Sequence, residues 1–463
     1  MNIRGGKYAW MVKIGEKGQF VIPKEAREMF DFQPGDEILV LGDTSRGIAI
    51  LPKAKQQVTI KQVLSKIEEK NMSKIVFFCI PAHGHTNPTL GVVKELVSRG
   101  HKVWYYSYNI MREKIESAGA TFISCDDYDT EQNLSNKDSA RVGKDLAFST
   151  KILVDTTLAL DDKVCKEMAE LKPDLIVADS MALWGKAVAL KLGIPFVSST
   201  TTFAFNQHSA KIMKQGLGDL LKMLFAMPKT SKQVKRLKDK GYPVNNILDI
   251  IGNDDSTHTI VYTSPEFQPC SETFSGKYAF VGPSIRPATE EIEKKMDKLI
   301  YISMGTVNND MMSFYKSCIS ALTNTDYQVI MSVGNLVSIE EFGELPENIS
   351  IYSYVDQIAV LEKADVFVSH CGMNSVSESL YFEVPLVMLP QTSEQKGVAE
   401  RVNQLGAGIK IDKADRTSIL SAINKILSDS MYKQNAKKIA EGFKNSLGAK
   451  GAADKIIKVC KSN

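Results

Sequence analysis

The stretch "VSHCGMNSVSES", Val368 to Ser379, sets His370 beside Cys371, then a glycine, then a run of small polar residues. Three chemistries could use it: a metal pair, a cysteine nucleophile beside its base, or a cradle for an anion. The flanking residues decide between them. "ADVFVSH" reads as a buried strand, Cys371-Gly372 as a tight turn, and "NSVSESLYF" as a helix that Asn374 or Ser375 can cap. The first-turn amides of a helix lack intrahelical partners and the positive end of its dipole faces the loop. A histidine at the strand end can add a donor for a phosphate oxygen. One adjacent His-Cys pair cannot chelate zinc tetrahedrally, and neighbours on an extended strand point to opposite faces, which disfavours both other chemistries. An anion cradle at the carboxyl end of a strand is also where open α/β sheets bind ligands.

The same alternation of strand and helix extends in both directions. "KIVFFCI", "KVWYYS", "PDLIVADS" and "IPFVSST" are strands of a first parallel sheet, with "PTLGVVKELVSRG" a helix closed by Gly100. After the Pro- and charge-bearing connector "YAFVGPSIRPATEEIEKKMDK" the series restarts with "LIYISMG", "YQVIMSVG", "ISIYSYV", "VFVSH" and "PLVMLP". Two doubly wound domains in tandem are expected, over residues 72–284 and 285–463. No internal repeat or low-complexity tract interrupts them.

Composition agrees with a globular enzyme-sized chain: 463 residues, 43% hydrophobic, 24% charged, formal net charge +3. The first 71 residues hold 12 Lys+Arg against 9 Asp+Glu, so the whole basic excess lies there and the remainder is balanced. A neutral body does not advertise nucleic-acid binding, whereas a basic leader allows it. The seven cysteines, at 79, 125, 165, 270, 318, 371 and 460, are scattered and form no CxxC pair, which fits a reducing cytoplasm. Neither a signal peptide nor a membrane span is read, since no apolar run reaches 18 residues.

Up to about Lys55 the leader reads differently. "AWMVKIGEKGQFVI" alternates around a Gly turn, "PKEAREMF" opens a helix with proline, and "PGDEILVLGDTSRGIAILP" looks like a hairpin. Residues 1–55 are too few to bury a stable core alone, so a homodimer or a docked leader is expected. Residues 56–71 read as a linker, and Met72 looks like a second natural start.

Two motifs carry a resemblance to the UDP-glycosyltransferases (glycosyltransferase family 1, bacterial macrolide glycosyltransferase type). "YVDQIAVLEKADVFVSHCGMNSVSESLYFEVPLVMLPQTSEQKGVAERV", Tyr354 to Val402, resembles their nucleotide-sugar signature, and "IPAHGHTNPTLGVVKELVSRGHKV", Ile80 to Val103, their opening. The resemblance spans roughly Met72 to the C-terminus. It implies a GT-B fold, two Rossmann-like domains facing a cleft, with the acceptor held by the first and the nucleotide sugar by the second. It places Thr306, His370, Gly372, Asn374 and Ser375 on the diphosphate and Glu378 on the ribose. Tyr354, Val355 and Gln357 would lie at the base, and Glu394 and Gln395 on the sugar hydroxyls. The sequence departs from the usual pattern with Tyr354 for Trp, Asp356 for Pro and Glu383 for Gly, which touches base and sugar identity rather than the phosphate cradle.

The resemblance also implies His85, in "GHTNP", as the base and Asp179, in "PDLIVADS", as its orienting acid. An alcohol is a poor nucleophile, so a neutral imidazole must take its proton during attack on the anomeric carbon, and a carboxylate stabilises the imidazolium formed. His83 is expected to shape the loop. Neither cofactor nor metal is expected; the donor, UDP-glucose by resemblance, is a co-substrate and the anomeric configuration inverts. Met181, Trp184, Phe203, Phe205, Met213, Met223, Phe225 and Met227 suit a hydrophobic acceptor or are simply helix core.

The leader, from about Tyr8 to Lys53, resembles AbrB-like (SpoVT-AbrB) swapped-hairpin domains, in which two chains interleave into one barrel. That resemblance implies dimerisation and sets Lys13, Lys17, Lys24 and Arg27 where phosphates of DNA could be met. Two further readings stay open: a DNA-binding regulator whose large domain senses a nucleotide sugar, and a nucleotide-sugar epimerase, for which the "GHTNP" motif would have no purpose.

Overall fold

A computed structural model of the chain describes residues 2–3, 7–8, 10–38, 40–43, 47–50, 72–126, 145–212, 230–246, 249, 253, 256–305 and 311–462. The chain divides into two compact units, Met1–Met72 and Ser73–Asn463. The linker expected over residues 56–71, and Thr306, Met213, Met223, Phe225 and Met227, lie outside the described residues.

In the first unit, β1 (Asn2–Ile3) pairs antiparallel with β2 (Lys7–Tyr8), and β3 (Val40–Asp43) with β4 (Gly47–Ile50), the latter forming the expected hairpin. Helix α1 (Lys24–Phe30) starts after Pro23 and stops where Asp31 turns left-handed. The alternating stretch after Trp10 keeps its turn, with Gly15 N–H donating to Gln19 O and Gly18 at φ 75°, but forms no ladder on either side. Only Ala26 and Phe32 are buried among the described residues, while Met11, Ile14, Val21 and Ile48 are more than half exposed. Alternation supplies an apolar face, and the described residues of this unit leave much of it uncovered.

The second unit holds two parallel sheets. The first, in spatial order β11-β10-β9-β8-β5-β6-β7, comprises β5 (Lys74–Phe78), β6 (Lys102–Ser107), β7 (Thr121–Ser124), β8 (Leu175–Asp179), β9 (Phe196–Thr200), β10 (His258–Val261) and β11 (Tyr278–Phe280). The second, β14-β13-β12-β15-β16-β17, comprises β12 (Lys298–Ser303), β13 (Tyr327–Ser332), β14 (Ile349–Tyr352), β15 (Val366–Ser369), β16 (Leu386–Met388) and β17 (Gly408–Lys410). The connecting helices with described ends are α2 (His83–Ser98), α3 (Arg112–Ser117), α4 (Leu146–Leu171), α5 (Leu183–Leu192), α6 (Gln207–Ile212), α7 (Met312–Leu322), α8 (Gln357–Leu361), α9 (Met373–Tyr381), α10 (Ser393–Gln404), α11 (Arg416–Ser428), α12 (Ser430–Asn445) and α13 (Gly448–Lys461).

Helices cover the central strands on both faces, so these read as apolar runs: Ile75, Val76, Phe77 and Phe78 of β5 are all buried. Strand order reverses direction between β5 and β8 in the first sheet and between β12 and β15 in the second. Crevices open at the carboxyl ends of strands at such switch points. These are the Rossmann-like domains expected of the sequence.

The boundary read at 285–463 needs one correction. Helix α13 leaves the second domain and packs Ala452, Ala453, Ile456 and Val459 into the core of the first, beside Ile75, Val92 and Leu175. Small residues make this possible: a Cβ at Gly91 of α2 would lie 3.4 Å from Ala449 Cβ, so the helices approach almost backbone to backbone. The fully buried Ile456 alone makes truncation to Ala worth about 2–5 kcal/mol.

Candidate active site

At the first switch point, β5 runs into the turn before α2, whose third residue is His85, and β8 ends on Asp179. His85 Nδ1 lies 2.9 Å and 3.0 Å from the two Asp179 oxygens. Asp179 is almost wholly buried and also accepts from the Met181 amide at 2.8 Å, so its carboxylate is fixed before the histidine reaches it. Burial opposes charge on the His85 ring, but the charge and hydrogen bond of Asp179, with a smaller contribution from Glu394, outweigh it and raise the pKa. With Nδ1 committed to the carboxylate, Nε2 is the nitrogen left to accept a proton.

A third group escaped sequence reasoning. Thr201 Oγ1 lies 3.1 Å from His85 Nδ1, just past the end of β9, the strand next to β8. The signal available was topological: adjacent parallel strands deliver their carboxyl-terminal residues to one crevice.

At the second switch point, β15 ends at Ser369 and His370 follows. Cys371 turns with φ 68°, and α9 begins at Met373. The helix cap is Gly372, which offers no side-chain acceptor, rather than Asn374 or Ser375, which lie in the first turn. The amide end is therefore left without a side-chain cap, as an anion cradle requires. Two glycines frame the His370 ring: a Cβ at Gly305, at φ 82°, would lie 2.5 Å from Cε1, and one at Gly372 would lie 2.9 Å from Nε2. Burial lowers the His370 pKa to about 4, against a small opposing effect of the Ser303 backbone, while Nδ1 has no partner of good hydrogen-bond geometry. The ring is neutral and can serve an anion only as an N–H donor.

The remaining candidates gather around this cradle. Gln357 Nε2 donates to Glu378 Oε2 at 2.5 Å and to Ser375 Oγ at 3.3 Å, and Tyr301 OH donates to Gln357 Oε1. Burial raises the Glu378 pKa, against the hydrogen bond from Gln357 and the charge of Arg286. Tyr354 is 69% exposed, so its ring face is open, whereas the Val355 side chain is buried in the core with Val360 and Tyr301 and leaves only main chain for a ligand. Asp356 caps α8 through Ile358 N–H and receives Arg286 Nη2 at 2.5 Å and Nη1 at 3.1 Å, with Thr289 N–H and Oγ1 at 2.6 and 2.7 Å. Proline could do none of this, so the departure at 356 is what holds the interdomain connector.

Glu394 and Gln395 open α10. Gln395 Oε1 accepts from Gln391 and Thr392 amides in a capping box, leaving its amide nitrogen for a ligand. Glu394 is exposed along the cleft, yet protein crowds its carboxyl enough to raise its pKa, and nearby His85 offsets part of this. The candidate base His85 and the candidate sugar-reading carboxylate Glu394 therefore share one region.

Of the acceptor candidates among the described residues, two are core and two are open. Phe203 is buried between the domains, 5.4 Å from the Phe267 ring, and Trp184 sits in the core with Phe78 and Tyr106; only Met181 and Phe205 are exposed. Among the described residues no group of three or more His, Cys, Asp or Glu side chains is arranged to hold a metal, and no helix is long and apolar enough to cross a membrane. In the first unit Lys13, Lys17 and Lys24 are exposed, but Lys24 pairs with Glu28 at 3.7 Å and Arg27 is half-buried with Nε unpartnered.

Comparison with known proteins follows this geometry. Residues 316–457 match the erythromycin biosynthesis protein CIII-like C-terminal domain, and residues 11–57 the MazE bacterial antitoxin. The chain is 32% identical over 405 residues to UDP-glucosyltransferase YojK of Bacillus subtilis, covering 84% of this chain and 98% of that one. It is 33% identical over 404 residues to NDP-glycosyltransferase YjiC of Bacillus licheniformis, covering 82% and 96%. Among solved structures, the calicheamicin glycosyltransferase CalG4 superposes with TM-score 0.70 at 26% identity over 84% of this chain and 99% of that one. With this fold, these two switch-point constellations and these relatives, the chain belongs to the macrolide type of family 1 glycosyltransferases, with a GT-B body and a MazE-like segment at its start.

Proposed function

We propose that this glycosyltransferase moves a hexose, with UDP-glucose as donor, to a hydroxyl of a hydrophobic small molecule, inverting the anomeric centre without a metal. The observation that carries the reading is the His85–Asp179 pair at 2.9 Å, set at one switch point while the cradle of His370 and α9 occupies the other. The acceptor oxygen attacks the anomeric carbon as His85 Nε2 takes its proton, and Asp179 balances the imidazolium. The anomeric carbon–oxygen bond breaks and its electron pair stays on the diphosphate. Growing charge there meets the amide end of α9 and the N–H of His370. Open Tyr354 offers a stacking face for uracil, and Glu378 an acceptor for ribose hydroxyls. The name of the Bacillus subtilis relative YojK supports UDP and glucose as donor parts, and the exposed Met181 and Phe205 support an apolar acceptor.

The same proposal assigns the first unit to joining two copies in the cytoplasm: among its described residues the apolar face is open and the buried set is small. DNA contact is not part of it, because only a slight basic excess of 12 Lys+Arg over 9 Asp+Glu in the first 71 residues speaks for it. Nucleotide release from a panel of nucleotide sugars, with apolar phenols or macrolides and with EDTA added, tests the whole. Acceptor-dependent UDP release that survives EDTA is expected. A nucleotide-sugar sensor would bind and release nothing.

A further inference from the structure

The two histidines that open α2 serve different partners. His85 turns to Asp179, whereas His83 accepts from Lys114 Nζ of α3 at 3.2 Å through Nδ1. A neutral imidazole is a weak counter-group for an ammonium, and no ion pair to a carboxylate is found for Lys114 among the described residues. Its surroundings are specific: the residue after His83 is Gly84, whose carbonyl accepts from Asn374 Nδ2 in the first turn of α9 at 3.0 Å. The ammonium, contributed by the other domain, is thus held by the residue next to the one that meets α9, and it lies within electrostatic reach of Arg286. Desolvation, then the charge of Arg286, lowers the Lys114 pKa, and burial, then Lys114 itself, lowers that of His83. Arg286 comes from the connector and is held by Asp356, within electrostatic reach of Tyr354 and Glu378. Gathering like charges costs free energy, and an anion placed among them recovers it.

We propose that Lys114, held in place by His83, is a donor-binding residue through which the first domain grips the diphosphate of the nucleotide sugar. The proposal rests on the donor site argued above. An ammonium that is exposed in the free enzyme becomes a charge-assisted donor once the diphosphate covers it. It transfers no proton: as the anomeric carbon–oxygen bond breaks, it attracts the charge gained by the departing diphosphate.

Calorimetric titration of the full-length protein with UDP and with uridine tests this, comparing wild type, Lys114→Gln, Lys114→Arg and Asn374→Ala. Lys114→Gln should weaken UDP about tenfold or more, leave uridine unchanged, flatten the salt dependence of UDP binding, and be largely rescued by Lys114→Arg. Wild-type UDP affinity in Lys114→Gln, with Asn374→Ala weakened, overturns the role of Lys114 alone. If neither variant weakens UDP, the donor-site reading itself fails and this inference with it. Equal loss of UDP and uridine in Lys114→Gln would mean a structural rather than an electrostatic effect and would also overturn it.

Discussion

Asn374 Nδ2 donates to the carbonyl of Gly84 across the cleft, and Pro88 is the reason that carbonyl is free. In an α-helix the amide of residue 88 would bond to the oxygen of residue 84; proline has no N–H, so the oxygen must find another donor. The proline of "GHTNP" thus ties the helix that carries His85 to the first turn of α9. Replacing Asn374 with Asp sets a carboxylate against both that carbonyl and the diphosphate, while Ala only removes a donor. Donor affinity should fall by about tenfold in Asn374→Ala and by 10²-fold or more, roughly, in Asn374→Asp, both with cooperative unfolding retained. Calorimetry with UDP reads the difference, and equal losses would separate the residue from the phosphate.

The His85 pair predicts opposite pH trends for stability and turnover. Its folded pKa is raised, so the charged pair with Asp179 stabilises the fold fully below about 6.5 and this contribution is lost as pH rises through the higher folded value. A base must be neutral, so kcat/KM should climb across that same window, with an acid limb above about 6.5. Asp179→Asn should move the limb down. His85→Ala should cost about 10²-fold or more in kcat with UDP binding unchanged. An unmoved limb in Asp179→Asn would refute the pairing.

Asp356 makes a stability prediction away from the chemistry. Burial works against its charge, but the hydrogen bonds from Arg286 and Thr289 and the charge of Arg286 prevail, holding its pKa well below the carboxylate range. A depressed folded pKa means stability that is present above about 3.9 and lost as pH falls towards the folded value. Removing the carboxylate in Asp356→Ala leaves the Thr289 amide without its acceptor, while the half-exposed Arg286 keeps Pro287 O and water, and should cost about 1–3 kcal/mol. Urea titration of wild type and variant at neutral pH measures it; a difference within error would show that the connector is held elsewhere.

Much of this was legible because the chemistry sits where local pattern changes. An apolar β-branched run ending in His370 and followed by Gly372 marks a strand, a turn and a helix start without any knowledge of neighbours. The same holds for His85 after β5 and Asp179 at the end of β8. What could not be read depends on spatial order. Thr201 reaches His85 only because β9 lies beside β8, and Arg286 reaches Asp356 only because the connector folds back. Helix α13 shows an apolar stripe in the sequence, but a stripe does not say which core it enters. The cap of α9 was misplaced because Asn and Ser are good caps wherever they stand, and the positive φ of Cys371 moved the helix start earlier. In the leader, the alternation after Trp10 was read as strands, and among the described residues of one copy that stretch finds no ladder partner.

That last point carries a prediction about assembly. Among the described residues of the leader an alternating face with Met11, Ile14 and Val21 stays open beside a buried set of Ala26 and Phe32, too little burial to repay the entropy of ordering them. A second copy would supply both the missing ladder partners and the cover for that face. Starting the chain at Met72 should therefore give a smaller assembly that still transfers sugar, since every group placed at the two switch points lies downstream of it. Sedimentation of the full-length and shortened proteins, each assayed for UDP release, separates the possibilities. If the shortened protein is as dimeric as the full chain, a surface of the GT-B body joins the copies instead. If it is folded but inactive, the leader contributes to the active site, and the division of labour between the two units is wrong.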